Sequence, residues 1–183
     1  AIKQRKNRKG DIVKYNEIDI KNGIKLHTIK TEKFKTNLIA VMLTTKLDRK
    51  NVTKNALIPA VLRRGTKFMQ TQEEINKKME DMYGASFDCG LDKTGDNQIL
   101  KFYMETVNNE FLPQDAENMI KSSIEKIFEI IFNPYLENGV FKKEYVEQEK
   151  ENIKQIIDGK IDSKARYALD RCIEEMYKNE PFG

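Results

Sequence analysis

Apolar and polar positions alternate clearly from about residue 17 onward. Ile18 and Ile20 form a short run. After Asn22-Gly23, the stretch Ile24-Lys25-Leu26-His27-Thr28-Ile29 alternates with a period of two, which predicts a β-hairpin closed by an Asn-Gly turn. Residues 1–16 lack such a pattern and predict a flexible tail. From Asn37 to Leu47, Ile39, Val41 and Leu43 share one face and Leu38, Ala40 and Met42 the other. Apolar residues on both faces predict a central strand covered on both sides.

The period then changes. From Lys54 to Arg64, Ala56, Leu57, Ile58, Ala60, Val61 and Leu62 lie nearly all round a helix. This predicts a buried helix with Thr53 or Asn55 as N-cap, Pro59 in or just after its first turn, and a stop at Gly65. Thr71 with Glu74 makes a capping box for a second helix, whose apolar side is Ile75, Met79, Met82 and Tyr83 and whose end is Gly84. Strands follow at 86–91 and 98–107 around an Asp-Lys-Thr-Gly-Asp turn. Asp115 is the expected cap of a helix carrying Met119, Ile120, Ile124, Ile127, Phe128 and Ile131, which stops at Asn133-Pro134. Two more helices, 142–158 and 162–178, are divided at Gly159. The order predicts an α+β class, a mostly antiparallel sheet packed against helices. The expected organisation is a tail over 1–16 and one domain over 17–183, truncated at its C-terminal end because Glu180-Pro181-Phe182-Gly183 reads as entry into a loop.

Composition narrows the function classes. Of the 183 residues, 39% are hydrophobic and 34% charged, enough for one core under a solvated surface. No apolar run has the length of a membrane span and no signal peptide is evident, so a cytoplasmic protein is expected. The formal net charge is +4. Lys3, Arg5, Lys6, Arg8 and Lys9 bring five positive charges within nine residues; without them 28 basic residues face 29 acidic ones. The basicity therefore reads as a tail, and neither nucleic acid nor a membrane is an expected partner.

The chemistry-bearing residues are few. Cys89 and Cys172 are the only cysteines and are expected to be reduced; His27 is the single histidine and is expected at a strand surface. No Gly-x-Ser-x-Gly elbow and no phosphate-binding glycine loop is present.

Several phrases in order carry a resemblance. Leu62-Arg63-Arg64-Gly65-Thr66 ends a buried helix. Thr71-Gln72-Glu73-Glu74-Ile75 leads to Met82-Tyr83-Gly84-Ala85-Ser86-Phe87. Phe132-Asn133-Pro134-Tyr135-Leu136 breaks a later helix, and Glu147 to Ile157 form another. Together these resemble the N-terminal half of insulinase-type (M16) peptidases, with their LuxS/MPP-like metallohydrolase domain. In that family an inverted zinc motif, H-x-x-E-H, precedes Gly-Thr. The chain resembles in particular the elongation factor P 5-aminopentanol modification-associated proteins, inactive M16-like proteins of Gram-positive bacteria.

The resemblance also marks what is missing. Its histidine positions fall on Ala56 and Ala60, its catalytic glutamate on Pro59, and its third ligand near Ile156. Methyl groups and a proline ring offer no lone pair to zinc, and proline cannot accept a proton from a metal-bound water. Counting the later helix one turn differently would bring Glu149 or Glu151 to the ligand position, still without a histidine. The resemblance thus implies a non-catalytic homologue with no metal or cofactor, acting as the partner of an active M16 homologue or as a polypeptide-binding subunit. The alternative is a zinc-dependent peptidase whose ligands come from outside this chain. Binding is expected at a sheet edge around Ile99, Lys101 and Tyr103, through strand addition, and at Arg63 and Arg64, where acidic groups would be held.

Overall fold

The computed structural model describes residues 2–6 and 12–180. These fall into two compact units, Ala1–Thr36 and Asn37–Gly183.

The first unit is an antiparallel three-stranded sheet in the order β1 (Ile2–Lys6), β2 (Ile12–Lys21), β3 (Ile24–Lys30). The hairpin expected from Asn22-Gly23 is present, and both turn residues take positive φ (52° and 81°), the geometry that Asn-Gly supplies. The tail expected over 1–16 is corrected in part. Ile2–Lys6 pairs with Ile12–Asn16 along its whole length, while residues 1 and 7–11 lie outside the described residues. Backbone pairing, rather than side-chain alternation, makes β1 a strand.

The second unit opens with β4 (Thr36–Lys46), α1 (Val52–Leu62), α2 (Gln72–Asp81), β5 (Ser86–Thr94) and β6 (Asn97–Val107). It continues with α3 (Met119–Phe132), a short hairpin of β7 (Leu136–Glu137) and β8 (Val140–Phe141), then α4 (Lys143–Asp158) and α5 (Lys164–Met176). The fold is α+β with antiparallel pairing, as the element order predicts.

Its main sheet runs β4-β6-β5. β6 is the middle strand, and one of its faces, Gln98, Leu100, Phe102, Met104 and Thr106, is buried. Onto that face pack Leu62 of α1, Ile75 and Met79 of α2 with Met82 beyond it, and Met119, Ile127, Ile130 and Ile131 of α3. β4 is therefore an outer strand of this sheet, not a central one. Ile39 and Val41 meet the core, whereas Leu38 and Met42 on its other face are exposed.

Local signals decide several boundaries. The α2 capping box forms, with Thr71 Oγ1 accepting from Glu74 N–H and Glu74 Oε2 from Thr71 N–H, each at 3.2 Å. α1 begins at Val52, earlier than expected, and Asn51 makes no side-chain cap. Pro59 thus sits inside the helix rather than in its first turn, leaving the carbonyl of Asn55 without its usual amide partner. α3 is capped by Asn118, not Asp115, through Oδ1 to Lys121 N–H at 3.0 Å. Its apolar residues divide: Met119, Ile127 and Ile131 are buried, and Ile120, Ile124 and Phe128 are exposed.

Candidate functional site

Ala56, Ala60 and Arg64 recur every four residues, so they occupy one side of α1 and its immediate extension. α1 packs against α4 on one hand and against β5 and β6 on the other. The junction with α4 is made by Arg64, whose Nε and Nη2 both donate to Oε1 of Glu149. Glu149 Oε2 accepts a further bond from Asn152 Nδ2 at 3.2 Å. Only 19% of the Arg64 side chain and 11% of the Glu149 side chain are exposed. The pair is desolvated, and every strong acceptor of the carboxylate is engaged by donors from protein.

On the β5 side, α1 meets a thiol. The Cys89 thiol donates to the carbonyl of Pro59 at 3.2 Å. Burial is the main reason the thiol is pushed up to about 11; Arg63 opposes that shift, while Asp88 and Glu149 add to it. Cys89 is thus held protonated, as a donor in a packed site. Among the described residues, no group of three His, Cys, Asp or Glu side chains is placed to hold a metal ion.

The expected site residues do not form one cluster. Arg64 joins the α1–α4 junction, but Arg63 turns elsewhere and lines an open cleft of about 260 Å³ with Asn76, Met79, Glu80, Ser86 and Phe87. Ile156 takes no part in the Arg64–Glu149 pair. It is 67% exposed and stands seven residues beyond Glu149, about 10 Å further along the axis of α4. Glu149 is the α4 side chain that bonds Arg64.

Ile99, Lys101 and Tyr103 alternate with the buried Leu100 and Phe102 and so lie on the sheet face away from the core. Lys101 is engaged there by Asp92. Because β6 is flanked by β4 and β5, its backbone is already paired on both sides, and strand addition at this strand is excluded. Sequence reading also missed a polar cluster at the start of α1. Gln98 is fully buried; its Oε1 accepts from Asn55 Nδ2 at 2.9 Å and its Nε2 donates to the Val52 carbonyl at 3.0 Å. The only signal was a glutamine on the apolar face of a strand.

The loop after α1 is held from the other direction. Buried Thr66 donates to Glu129 Oε1 at 2.8 Å and accepts from the amides of Phe68 and Met69 at 3.1 and 2.9 Å. Pro134 forms an antiparallel bridge with Thr66, and Tyr135 N–H donates to Gly65 at 3.0 Å. The Gly-Thr and Asn-Pro phrases are therefore two halves of one contact.

The chain is similar to known proteins in sequence and in fold. It is 36% identical over 168 residues to a protein named probable inactive metalloprotease YmfF of Bacillus subtilis (strain 168), covering 91% of this chain and 39% of that protein. It superposes on a conserved protein of Enterococcus faecalis V583, known from a crystal structure, with a TM-score of 0.82 and 27% identity, covering 92% of this chain and 41% of that one. The chain thus spans about two-fifths of the length of each. No protein-family model matches it.

Proposed function

We propose, from the likeness to a probable inactive metalloprotease and from the chemistry at α1, that this chain is the N-terminal half of a non-catalytic M16 peptidase homologue. The whole protein acts in the cytoplasm as a partner or polypeptide-binding subunit beside an active homologue.

One observation carries the reading. On the side of α1 where imidazoles would bind zinc stand the methyl groups of Ala56 and Ala60, and the carboxylate that reaches α1 from α4 is occupied by Arg64. Zinc needs three protein ligands with free lone pairs and an open position. Two of those donors are absent in kind and the third is held by a guanidinium. The junction keeps the cross-link between helices that a metal would supply and gives up the chemistry.

Polypeptide binding then rests on backbone rather than on reacting groups. The edge that supports it is the outer side of β5, since among the described residues β5 pairs only with β6. The cleft beside Arg63 adjoins the first residues of that strand.

The test uses the full-length protein. It is expected to hold no stoichiometric zinc, to cleave no peptide, and to copurify with an active homologue carrying an intact H-x-x-E-H motif. Peptides N-methylated at alternate amides should bind more weakly than their parents. Stoichiometric zinc together with chelator-sensitive cleavage would instead establish a peptidase with ligands from outside this chain.

A further inference from the structure

The Ala1–Thr36 unit carries eleven Lys and Arg against four Asp and Glu, a formal net charge of +7, while residues 37–183 carry −3. Part of that charge belongs to a sheet, and the strand register sorts it by face. Directly opposed residues share a face. Lys14↔Lys30, Asn16↔Thr28 and Ile18↔Leu26 therefore lie together, joined by Lys21↔Ile24 after the register shift between Asp19 and Lys21. The opposite face holds Tyr15, Glu17, Asp19, Lys25 and His27. There Lys25 pairs with Glu17 and Asp19, and Tyr15 stacks on His27.

The acids of β2 thus all lie on one face, and the other is basic and aliphatic, without a counter-charge among the described residues. The side chains of Lys14, Lys21 and Lys30 are exposed and, among the described residues, engaged by no hydrogen bond or ion pair. Lys14 and Lys30 stand opposite each other, a like-charge cross-strand pair that destabilises the sheet by itself. Between this pair and Lys21 lie Ile18, Ile24 and Leu26, each 44–59% exposed. Lysines bracket an aliphatic centre along a strand distance of about 20 Å.

We infer that this face of β2 and β3 is a docking surface for an acidic, amphipathic polypeptide segment, one with an aliphatic centre and carboxylates toward both ends. Carboxylates relieve the Lys14–Lys30 repulsion, and apolar side chains cover the isoleucines and leucine. Single-stranded nucleic acid fits less well, because its bases stack on aromatic rings and the unit's stacked rings lie on the other face. A lipid surface fits less well, because among the described residues this face presents no aromatic ring to seat at the headgroup level. The inference goes beyond the inactive-homologue reading and uses no residue of α1, β5 or α4.

The test is fluorescence anisotropy of the full chain with a labelled peptide of about fourteen residues, leucine-rich at its centre and glutamate-rich at both ends. Lys21→Glu with Lys30→Glu is expected to weaken binding about tenfold or more. Lys77→Glu with Lys154→Glu, the same charge change at exposed positions of the other unit, should leave it unchanged. Ile18→Ser with Leu26→Ser should weaken it too, and a peptide with Gln for Glu should bind poorly. Lys30→Glu alone supplies a check on folding: an acid opposite Lys14 should raise the melting temperature while lowering affinity. Equal binding by the Lys21/Lys30 variant and wild type, or preference for phosphatidylglycerol vesicles or oligo(dT) over the peptide, would overturn the proposal.

Discussion

The guanidinium of Arg64 closes on one carboxylate oxygen of Glu149, 85 positions further along the chain, and ties the end of α1 to the middle of α4. Both side chains are largely withdrawn from water, so the pair's value lies in its completeness. Removing one member leaves an uncompensated charge, which typically costs about 3–5 kcal/mol, whereas replacing both with apolar groups is often neutral or stabilising.

Arg64→Leu is therefore expected to be less stable by about 3 kcal/mol, a fall in melting temperature of roughly 6–12 °C for a unit of this size. Arg64→Leu with Glu149→Leu should recover most of that loss. Thermal unfolding of the single and double variants checks it. A double variant as unstable as the sum of the singles would mean that the two side chains are not coupled.

Gly65 is required by a close approach rather than by its φ. A Cβ there would lie 2.5 Å from the carbonyl oxygen of Gln70 and 2.8 Å from its carbon, both backbone atoms. The backbone cannot swing aside as a flexible side chain would, because the Thr66–Glu129 and Tyr135–Gly65 bonds fix the loop. Gly65→Ala should cost about 1–3 kcal/mol, the usual range for overpacking. Gly90→Ala meets nothing within 4 Å and should fall within about 0.5 kcal/mol of wild type. Denaturant midpoints for the two variants separate these outcomes.

The contrast between these residues shows what periodicity can and cannot reveal. The Asn22-Gly23 hairpin, the Thr71–Glu74 cap and the Asn133-Pro134 stop are local, and each was legible because its partners lie within a few residues. Arg64–Glu149 and Asn55–Gln98 join positions 85 and 43 apart, and no hydrophobic period links them. α3 has apolar residues on two sides, so the pattern alone could not choose Ile127 over Ile124 for the core. Strand order was equally hidden: β6 alternates whether it is an edge or a centre, and only its two neighbours decide that strand addition must occur elsewhere. That Ala56, Pro59 and Ala60 offer no lone pair on their side chains is readable from residue identity alone.

Cys89 makes the stability of the larger unit depend on alkaline pH. Burial raises its pKa from an ordinary value near 9 to about 11. The folded state therefore holds its proton more tightly than the unfolded chain does. This contribution is fully present below pH 9 and is lost as pH climbs through about 11. The loss should reach about 2 kcal/mol, given 1.36 kcal/mol per unit and partial exposure of the thiol. Cys89→Val should flatten the pH dependence of the melting temperature in that window while leaving its other titrations in place. At pH 8, iodoacetamide should label the exposed Cys172 well before Cys89.

The last expectation asks whether Arg64 excludes metal as well as stabilising the fold. Ala56→His with Ala60→His would put two imidazoles one turn apart on the side of α1 that leads to Arg64. Two nitrogen ligands bind zinc weakly, and the carboxylate of Glu149 is taken by the guanidinium. Adding Arg64→Leu frees that carboxylate and completes a set of three ligands, so zinc affinity measured by chelator competition should rise about tenfold or more. The loaded protein should still cleave no peptide, since Pro59 cannot act as general base. Equal zinc affinity with and without Arg64 would show that Glu149 does not face the substituted positions, and the correspondence between this junction and a metal site would fail. A rise confined to the variant lacking Arg64 would show that one ion pair both replaces the metal's cross-link and blocks its return.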